Sequence, residues 1–433
     1  MLPTSKYVGL LGFAAILGLA FLMSNNRKAI NKRLVISGLV IQLVLAIFVL
    51  RVELGQQLFL LIGDGITRLL GFSDQGAGFV FGPLAKNPET LIRVFGDGAG
   101  YIFAFRVVPT IIFVSSLVSI SYYLGIMQRL VQVVAKVVAV LMGASGGEAL
   151  SNAASVFVGQ VEAQLLIRPY VPSMTMSELL ASMTGSMACV AGGVLAVYIG
   201  FGIKASYLLT ASIMAAPGAL VISKIVWPET EESKTKGTVK IEIKTTNANL
   251  IDAAAHGASD GLRIGLNVVA MLIAFIALVA LADSFVSLLG RQLFSMGLNA
   301  NQIGLNFADL RLKDIFGACF APVAYLMGVP IADVHTVGGL LGEKIVLNEF
   351  VAFSDLAAMI KRPDHLLSKQ AETIATFALC GFANISSIAI QVGGIGEIAP
   401  SRRQDLAKLG VKALICGTMA SYLSATLAGL LTL

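Results

Sequence analysis

Charge is what this chain of 433 residues has little of. Only 13% of its residues are Asp, Glu, Lys or Arg, against about a quarter in soluble globular proteins, and that shortage excludes a water-soluble fold. Cysteine is scarce too. Cys189, Cys319, Cys380 and Cys416 each lie inside an apolar run, with no metal-ligand or disulfide spacing among them, so packing is their expected role. A Walker phosphate-binding motif is absent, and with it direct coupling to ATP. The formal net charge of +6 does not point to nucleic acid, because the basic residues gather at the ends of apolar runs, where membrane topology needs them.

Hydrophobic residues fill the chain instead, 56% of it. Eight charge-free runs are of the length, ~20 residues, that crosses a bilayer: 7–26, 34–50, 107–128, 179–203, 205–223, 264–282, 373–396 and 413–433. The first has the length of a signal peptide, but no small-residue cleavage site precedes Arg27 and the next run follows at once, so it reads as a retained span. Arg27, Lys28, Lys32 and Arg33 separate the first two spans. Lys234, Lys236, Lys240 and Lys244 lie between the fifth and sixth, and Arg402 and Arg403 precede the eighth. The basic bias of cytoplasmic loops puts all three groups inside and both termini outside, with Lys361, Arg362 and Lys369 as an exception.

Two segments are too broken to be ordinary spans. Residues 147–173 hold Glu148, Glu162, Arg168, Pro169 and Pro172; residues 331–361 hold Asp333, Glu343, Lys344, Asn348, Glu349 and Asp355. Each is apolar at its ends and polar in the middle, the pattern of a re-entrant helical hairpin whose tip stops within the bilayer. Non-helical backbone at that depth is tolerated only where protein buries it or a cavity hydrates it. Before each hairpin come a span and an interfacial segment. The first is 127–143, with Gln128, Arg129, Gln132 and Lys136 at helical spacing on one face. The second is 311–328, where Gly317, Pro322, Gly328 and the following Pro330 argue against a ninth span. After each hairpin come two spans, the first interrupted, at "MACVAGG" and at "CGFANISS". The same order thus occurs twice with opposite orientation, the layout of secondary transporters whose discontinuous helices meet at the midplane. The expected architecture is an all-α polytopic membrane protein with eight transmembrane helices, two re-entrant hairpins and interfacial helices. Scaffold spans and an amphipathic helix at 56–71 occupy 1–100, a first inverted repeat 101–227, a cytoplasmic loop 228–260 and a second repeat 261–433.

The hairpin tips carry the chemistry. A charge at mid-membrane costs at least ~3 kcal/mol on insertion scales and marks a pathway or binding site by default. Glu162 stands near Gln160 in "GQVEAQLLIRPY" (159–170), and Glu349 beside Asn348 in "KIVLNEFVAF". Structural readings stay open: Glu162 paired with Arg168, and Glu349 with Lys344. Two carboxylates at equivalent tips, each with a carboxamide, match a polyhydroxylated solute better. The acid accepts from hydroxyls, and the amide offers both donors and an acceptor. "GFANISS" adds Phe382, Asn384, Ser386 and Ser387, against the alternative of a kink whose serines bond back to the backbone. "GASGG" (143–147) matches the GxSG pattern of intramembrane serine proteases, but Ser145 needs a histidine base. The histidines are His256, His335 and His365, two of them in polar segments. A capping box of Ser145 and Glu148 is the preferred reading.

At these residues the sequence resembles the concentrative nucleoside transporter family, as a bacterial member. The family's first hairpin signature is similar to GQ(T/S)EAPLLIRPY, where this chain has GQVEAQLLIRPY. The second, G.K...NEFVA, is met by GEKIVLNEFVA at 342–352; GFANISSI (381–388) and GAGFVFG (76–82) also match. The likeness covers nearly the whole chain from Asn25 onward. It implies a homotrimeric inner-membrane symporter that imports nucleosides by an elevator-like movement of a transport domain against a scaffold. It implies no enzymatic activity and no cofactor besides a coupling ion. By the same resemblance Gln160 and Glu162 face the nucleobase, with Val161 between them and Val194 of the break nearby. Glu349, Asn384 and Ser387 bind the ribose hydroxyls, and Phe382 packs near sugar and base.

The departures bear on the ion. Val161 stands where the family has a hydroxyl residue, and Gln164 where it has proline. Sodium-coupled relatives bind their ion between the hairpin tip and span four. They use an asparagine at the position of Ser155, the backbone carbonyl of Val158, a hydroxyl at the position of Cys189, and the neighbouring Val190. Sodium prefers hard oxygen ligands and a thiol is soft; proton-coupled bacterial members also have serine at position 155. Protons are therefore expected ahead of sodium, with Glu162 and Glu349 as the titratable candidates. A nucleobase or another small polar solute is the alternative cargo.

Overall fold

The computed structural model describes residues 4–86, 91–93, 96, 102–235, 247–297, 305–362 and 367–432. Lys236, Lys240, Lys244 and His365 lie outside the described residues. Three helices open the chain: α1 (Thr4–Leu22), α2 (Lys32–Leu50) and α3 (Glu53–Phe81). A first series follows: α4 (Phe103–Tyr123), α5 (Ile126–Met142), α6 (Gly146–Ser155), a single turn at Glu162–Leu165, then α7 (Met176–Ala188), α8 (Gly192–Gly200) and α9 (Ala205–Val226). A second series runs α10 (Leu250–Ser295), α11 (Leu312–Leu326), α12 (Val334–Val346), α13 (Glu349–Ile360), α14 (Lys369–Leu379), α15 (Ile385–Ile398) and α16 (Arg403–Leu431). Long helix, shorter helix, hairpin segment, split helix and long helix thus recur in the same order.

Local chemistry sets the boundaries. Asn31 caps α2 by accepting the Leu34 amide at 3.2 Å, and Thr175 with Glu178 forms a capping box on α7. Gly125 and Gly143, both at positive φ (74° and 70°), start and stop α5 where a side chain would be strained. Along α5 the buried positions are Gln128, Val131, Ala135, Val138 and Met142. Gln128 therefore lies on the inward face, not with Arg129, Gln132 and Lys136 as expected. Its Nε2 donates there to the Tyr122 carbonyl at 2.8 Å.

Six described helical stretches, one of them the split pair α7 and α8, are long and apolar enough to cross a membrane, where eight spans were expected. The run 373–396 is split into α14 and α15, and the described apolar part of α1 is shorter than a span. Two elements exceed their expected bounds. The amphipathic helix at 56–71 is part of the 29-residue α3, and span six is part of the 46-residue α10, which takes in the last residues of the loop drawn at 228–260. Neither stretch contains a breaker strong enough to end a helix, so polar residues ride along.

α16 packs against α7, α9, α14, α15 and α1, at the centre of the molecule. α10 packs chiefly on α4 through Gly257, Gly261 and Gly265, one turn apart. A Cβ at Gly261 would lie 2.6 Å from the Ile112 Cα, so the stripe lets two backbones approach as small residues do in membrane helices. Cys189, Cys380 and Cys416 are buried as expected, but Cys319 is exposed, because α11 turns Gly317, Ala321 and Ala324 inward.

Candidate functional site

The two split helices break where small and polar residues replace the apolar run. Cys189 ends α7 with extended backbone, and Gly192 begins α8, its amide bonded to the Phe157 carbonyl at 3.1 Å. Cys380 ends α14, and Asn384 caps α15 by accepting the Ser387 amide at 2.9 Å. The breaks cross each other: the Phe382 amide donates to the Cys189 carbonyl at 3.3 Å. At the crossing, a Cβ on Gly381 would lie 2.8 Å from both the Ala188 carbonyl and Ser421 Oγ. Gly381→Ala is expected to destabilise the fold by ~1–3 kcal/mol through overpacking. A lower thermal midpoint of the detergent-solubilised protein checks this; an unchanged midpoint would mean that the breaks separate freely.

Beside the crossing lies a cavity of about 720 Å³, within the range of small-molecule sites. Gln160, Val161, Glu162, Val194, Glu349, Phe382, Asn384 and Ser387 all line it. Between α6 and the turn at Glu162, the first tip brings Gln160 against α15, where its Nε2 donates to Ser387 Oγ at 3.1 Å. Val161 packs into the notch left by Gly394 of α15, and Glu162 turns its carboxylate back over Gly159, where a Cβ would lie 2.2 Å from Oε2. From the second tip, Asn348 caps α13 by accepting the Val351 amide at 3.0 Å, which puts Glu349 at the first helical position. A helix N-terminus favours a carboxylate there. Glu349 Oε2 accepts from Asn384 Nδ2 at 3.0 Å and Oε1 from the Tyr198 hydroxyl at 3.3 Å. Both halves thus contribute an acid and an amide to one cavity. On the second half the amide that meets the acid is Asn384, whose Oδ1 caps α15 while its Nδ2 donates to Glu349.

Neither structural ion pair forms among the described residues. Arg168 is exposed, and Lys344 Nζ donates to the Ala378 carbonyl at 2.7 Å. The kink reading holds in part, since Ser387 Oγ donates back to the Phe382 carbonyl at 2.5 Å while accepting from Gln160. Ser145 caps α6 in the expected box with Glu148, whose Oε1 accepts the Ser145 amide at 2.8 Å. His256, on α10, meets Asn247 and Asp260 instead of that serine.

The four ion-site candidates are all buried, and of them Val158 lines the cavity. Ser155 Oγ donates to the Ser151 carbonyl at 2.8 Å and meets Ser186 Oγ at 3.1 Å. The Cys189 thiol points at the Ser212 carbonyl, 3.7 Å away. Val190 is fully buried among apolar neighbours.

Two residues of the site had gone unnoticed in the sequence. Tyr198, fully buried and stacked on Phe353 at 4.2 Å, aims its hydroxyl at Glu349. Gln391, also fully buried, donates to the Gln160 Oε1 at 3.4 Å and to the Met183 carbonyl at 3.2 Å. Gln391 follows Ser387 by one helical turn, so a lone amide on the face of a known site residue was the available signal.

Comparison with known proteins agrees with this geometry. The family model for the "Na+ dependent nucleoside transporter C-terminus" matches residues 207–429, its N-terminal counterpart matches 11–84, and one for "nucleoside recognition" matches 104–205. An uncharacterized transporter of Haemophilus influenzae is 42% identical over 424 residues, 97% of this chain and 96% of that protein. The nucleoside permease NupC of Helicobacter pylori is 38% identical over 429 residues, 98% of each chain. Mouse sodium/nucleoside cotransporter 1 is 40% identical over 438 residues, 98% of this chain but 64% of that longer protein. A solved structure of CNTnw in an inward-facing substrate-bound state superposes with a TM-score of 0.90 at 41% identity, covering 99% of this chain and 98% of that one. A transporter and not an enzyme, the chain belongs to the concentrative nucleoside transporter family.

Proposed function

We propose that the protein is a cation-coupled symporter that imports nucleosides across the bacterial inner membrane, with protons favoured over sodium. One observation carries the reading: carboxylates from the two tips line a single cavity, where Glu349 accepts from an amide and a hydroxyl and Gln160 donates to the Ser387 hydroxyl. A nucleoside presents two ends to such a site. Its base would meet Gln160, Val161 and Glu162, with Val194 alongside. Its ribose hydroxyls would meet Glu349, Asn384 and Ser387, which already exchange hydrogen bonds with the protein, and Phe382 would pack near the sugar and base. A desolvated carboxylate accepts from vicinal hydroxyls more strongly than a neutral acceptor does.

Further residues on the cavity wall, His256, Asp260 and Asn267, belong to α10 just beyond the basic loop. With the basic loops inside, the cavity would open toward the cytoplasm. Tips and split helices would then form the moving transport domain of 101–227 and 261–433, sliding against a scaffold to which residues 1–100 belong. The apolar outer faces of α3 and α10, with Leu61, Phe79, Ile273 and Leu288 exposed, suit lipid and the contacts of a homotrimer.

The cargo is tested by competition for uptake of radiolabelled uridine into proteoliposomes. Nucleosides are expected to compete, and free bases at least about a hundredfold less well, since a site built to bond hydroxyls rejects a ligand that lacks them. Equal competition by free bases would remove Glu349 and Asn384 from ribose recognition and favour a nucleobase as cargo.

A further inference from the structure

Gln164 occupies the turn that follows the first tip and is 1% exposed. Its amide forms a fork between two helices. Oε1 accepts from Ser182 Oγ at 2.6 Å, while Nε2 donates to Ser186 Oγ at 2.8 Å and to Ser151 Oγ at 3.0 Å. Ser151 belongs to α6, Ser182 and Ser186 to α7. Around the fork, Ser155 meets Ser186, and Asn152 Nδ2 of α6 donates to the Ala181 carbonyl of α7 at 3.2 Å. Every one of these side chains is buried. Gly185 makes the close approach possible, because a Cβ there would lie 2.1 Å from Asn152 Oδ1.

A cation held by Ser155, the Val158 carbonyl and the residues at 189 and 190 would tie the first tip to the end of α7. The fork ties those same elements with neutral hydrogen bonds. It also engages, through Ser186, the hydroxyl of Ser155 that such a cation would need. Gln160 and Glu162 sit four and two residues before Gln164 on the same short connection, so whatever pins Gln164 limits where they can stand.

We infer that Gln164 is a positioning residue: its fork holds the first tip against α7 in the place of a bound cation, and so keeps Gln160 and Glu162 set for the substrate. The inference rests on the proposed nucleoside site. A hydrogen-bonded fork needs no cation to form, so substrate affinity is expected to be indifferent to sodium.

The test measures uridine uptake kinetics in proteoliposomes, with and without sodium at a constant proton gradient. Gln164→Leu removes the fork at nearly constant volume. The double variant Ser182→Ala, Ser186→Ala removes its partners on α7 and serves if the first does not fold. In both, KM is expected to rise about ten- to a hundredfold, the equivalent of two or three buried hydrogen bonds, with kcat within about twofold of wild type. Gln164→Glu retains an acceptor but cannot donate to Ser186 and Ser151. Its KM is expected to rise without sodium and to fall again when sodium is added, because a carboxylate among hydroxyls is a hard oxygen site. An unchanged KM in the first two variants, or a fall in kcat alone, overturns the positioning role. A Gln164→Glu variant indifferent to sodium overturns the claim that the fork stands in a cation's place. Failure of the underlying reading shows separately, as a wild type that takes up no uridine or that demands sodium.

Discussion

Glu349→Gln and Asn384→Ala are each expected to lower nucleoside uptake about ten- to hundredfold or more at matched expression, with the protein still eluting as a folded oligomer. Glu349 is buried at the start of α13 and accepts from two donors, Asn384 and Tyr198. An amide in its place can still accept from Asn384, and its NH2 group would donate to the Tyr198 oxygen, but it loses the charge and one of the two acceptor oxygens. A hydrogen bond to a buried charge contributes about 1.5–3 kcal/mol, and each 1.4 kcal/mol is tenfold in affinity. Asn384→Ala strikes the same pair from the other side. It also removes the cap of α15, whose loss alone costs about 0.5–2 kcal/mol, so part of the effect will be loss of position at Ser387. Uptake and oligomer elution are read together. Normal transport by either variant would take that residue out of the site.

Replacing sodium by choline is expected to leave uptake into proteoliposomes intact, and a protonophore that dissipates an inward proton gradient is expected to abolish it. Burying a sodium ion requires that oxygen ligands replace its water, and desolvation without them is prohibitive. Here the Ser155 hydroxyl already bonds Ser151 and Ser186, and Cys189 offers sulfur, a soft ligand. A proton needs only a titratable group, and Glu162 and Glu349 both line the cavity. Strict sodium dependence at constant pH, with no response to the protonophore, is the competing outcome. Backbone carbonyls at the tip would then complete the site.

Much of the architecture was legible before any coordinates, because it is written in local patterns. Low charge and long apolar runs determine a helical membrane protein, and the breaks at "MACVAGG" and "CGFANISS" determine where two helices must end. Asn348 and Asn384 cap the helices that follow them, as Asn does wherever a helix begins. The acids at the two tips could be singled out because a charge in an apolar segment is expensive wherever it lies. Tertiary structure alone decided which polar groups meet. Gln160 and Ser387 are separated by 227 positions, Tyr198 and Glu349 by 151, and no periodicity within either segment encodes such a pairing. The same holds for the inward turn of Gln128 and for the serines that receive Gln164. Sequence periodicity specifies which face of a helix is buried. The crossing of the two broken helices specifies what that face is buried against, and the cavity exists only there.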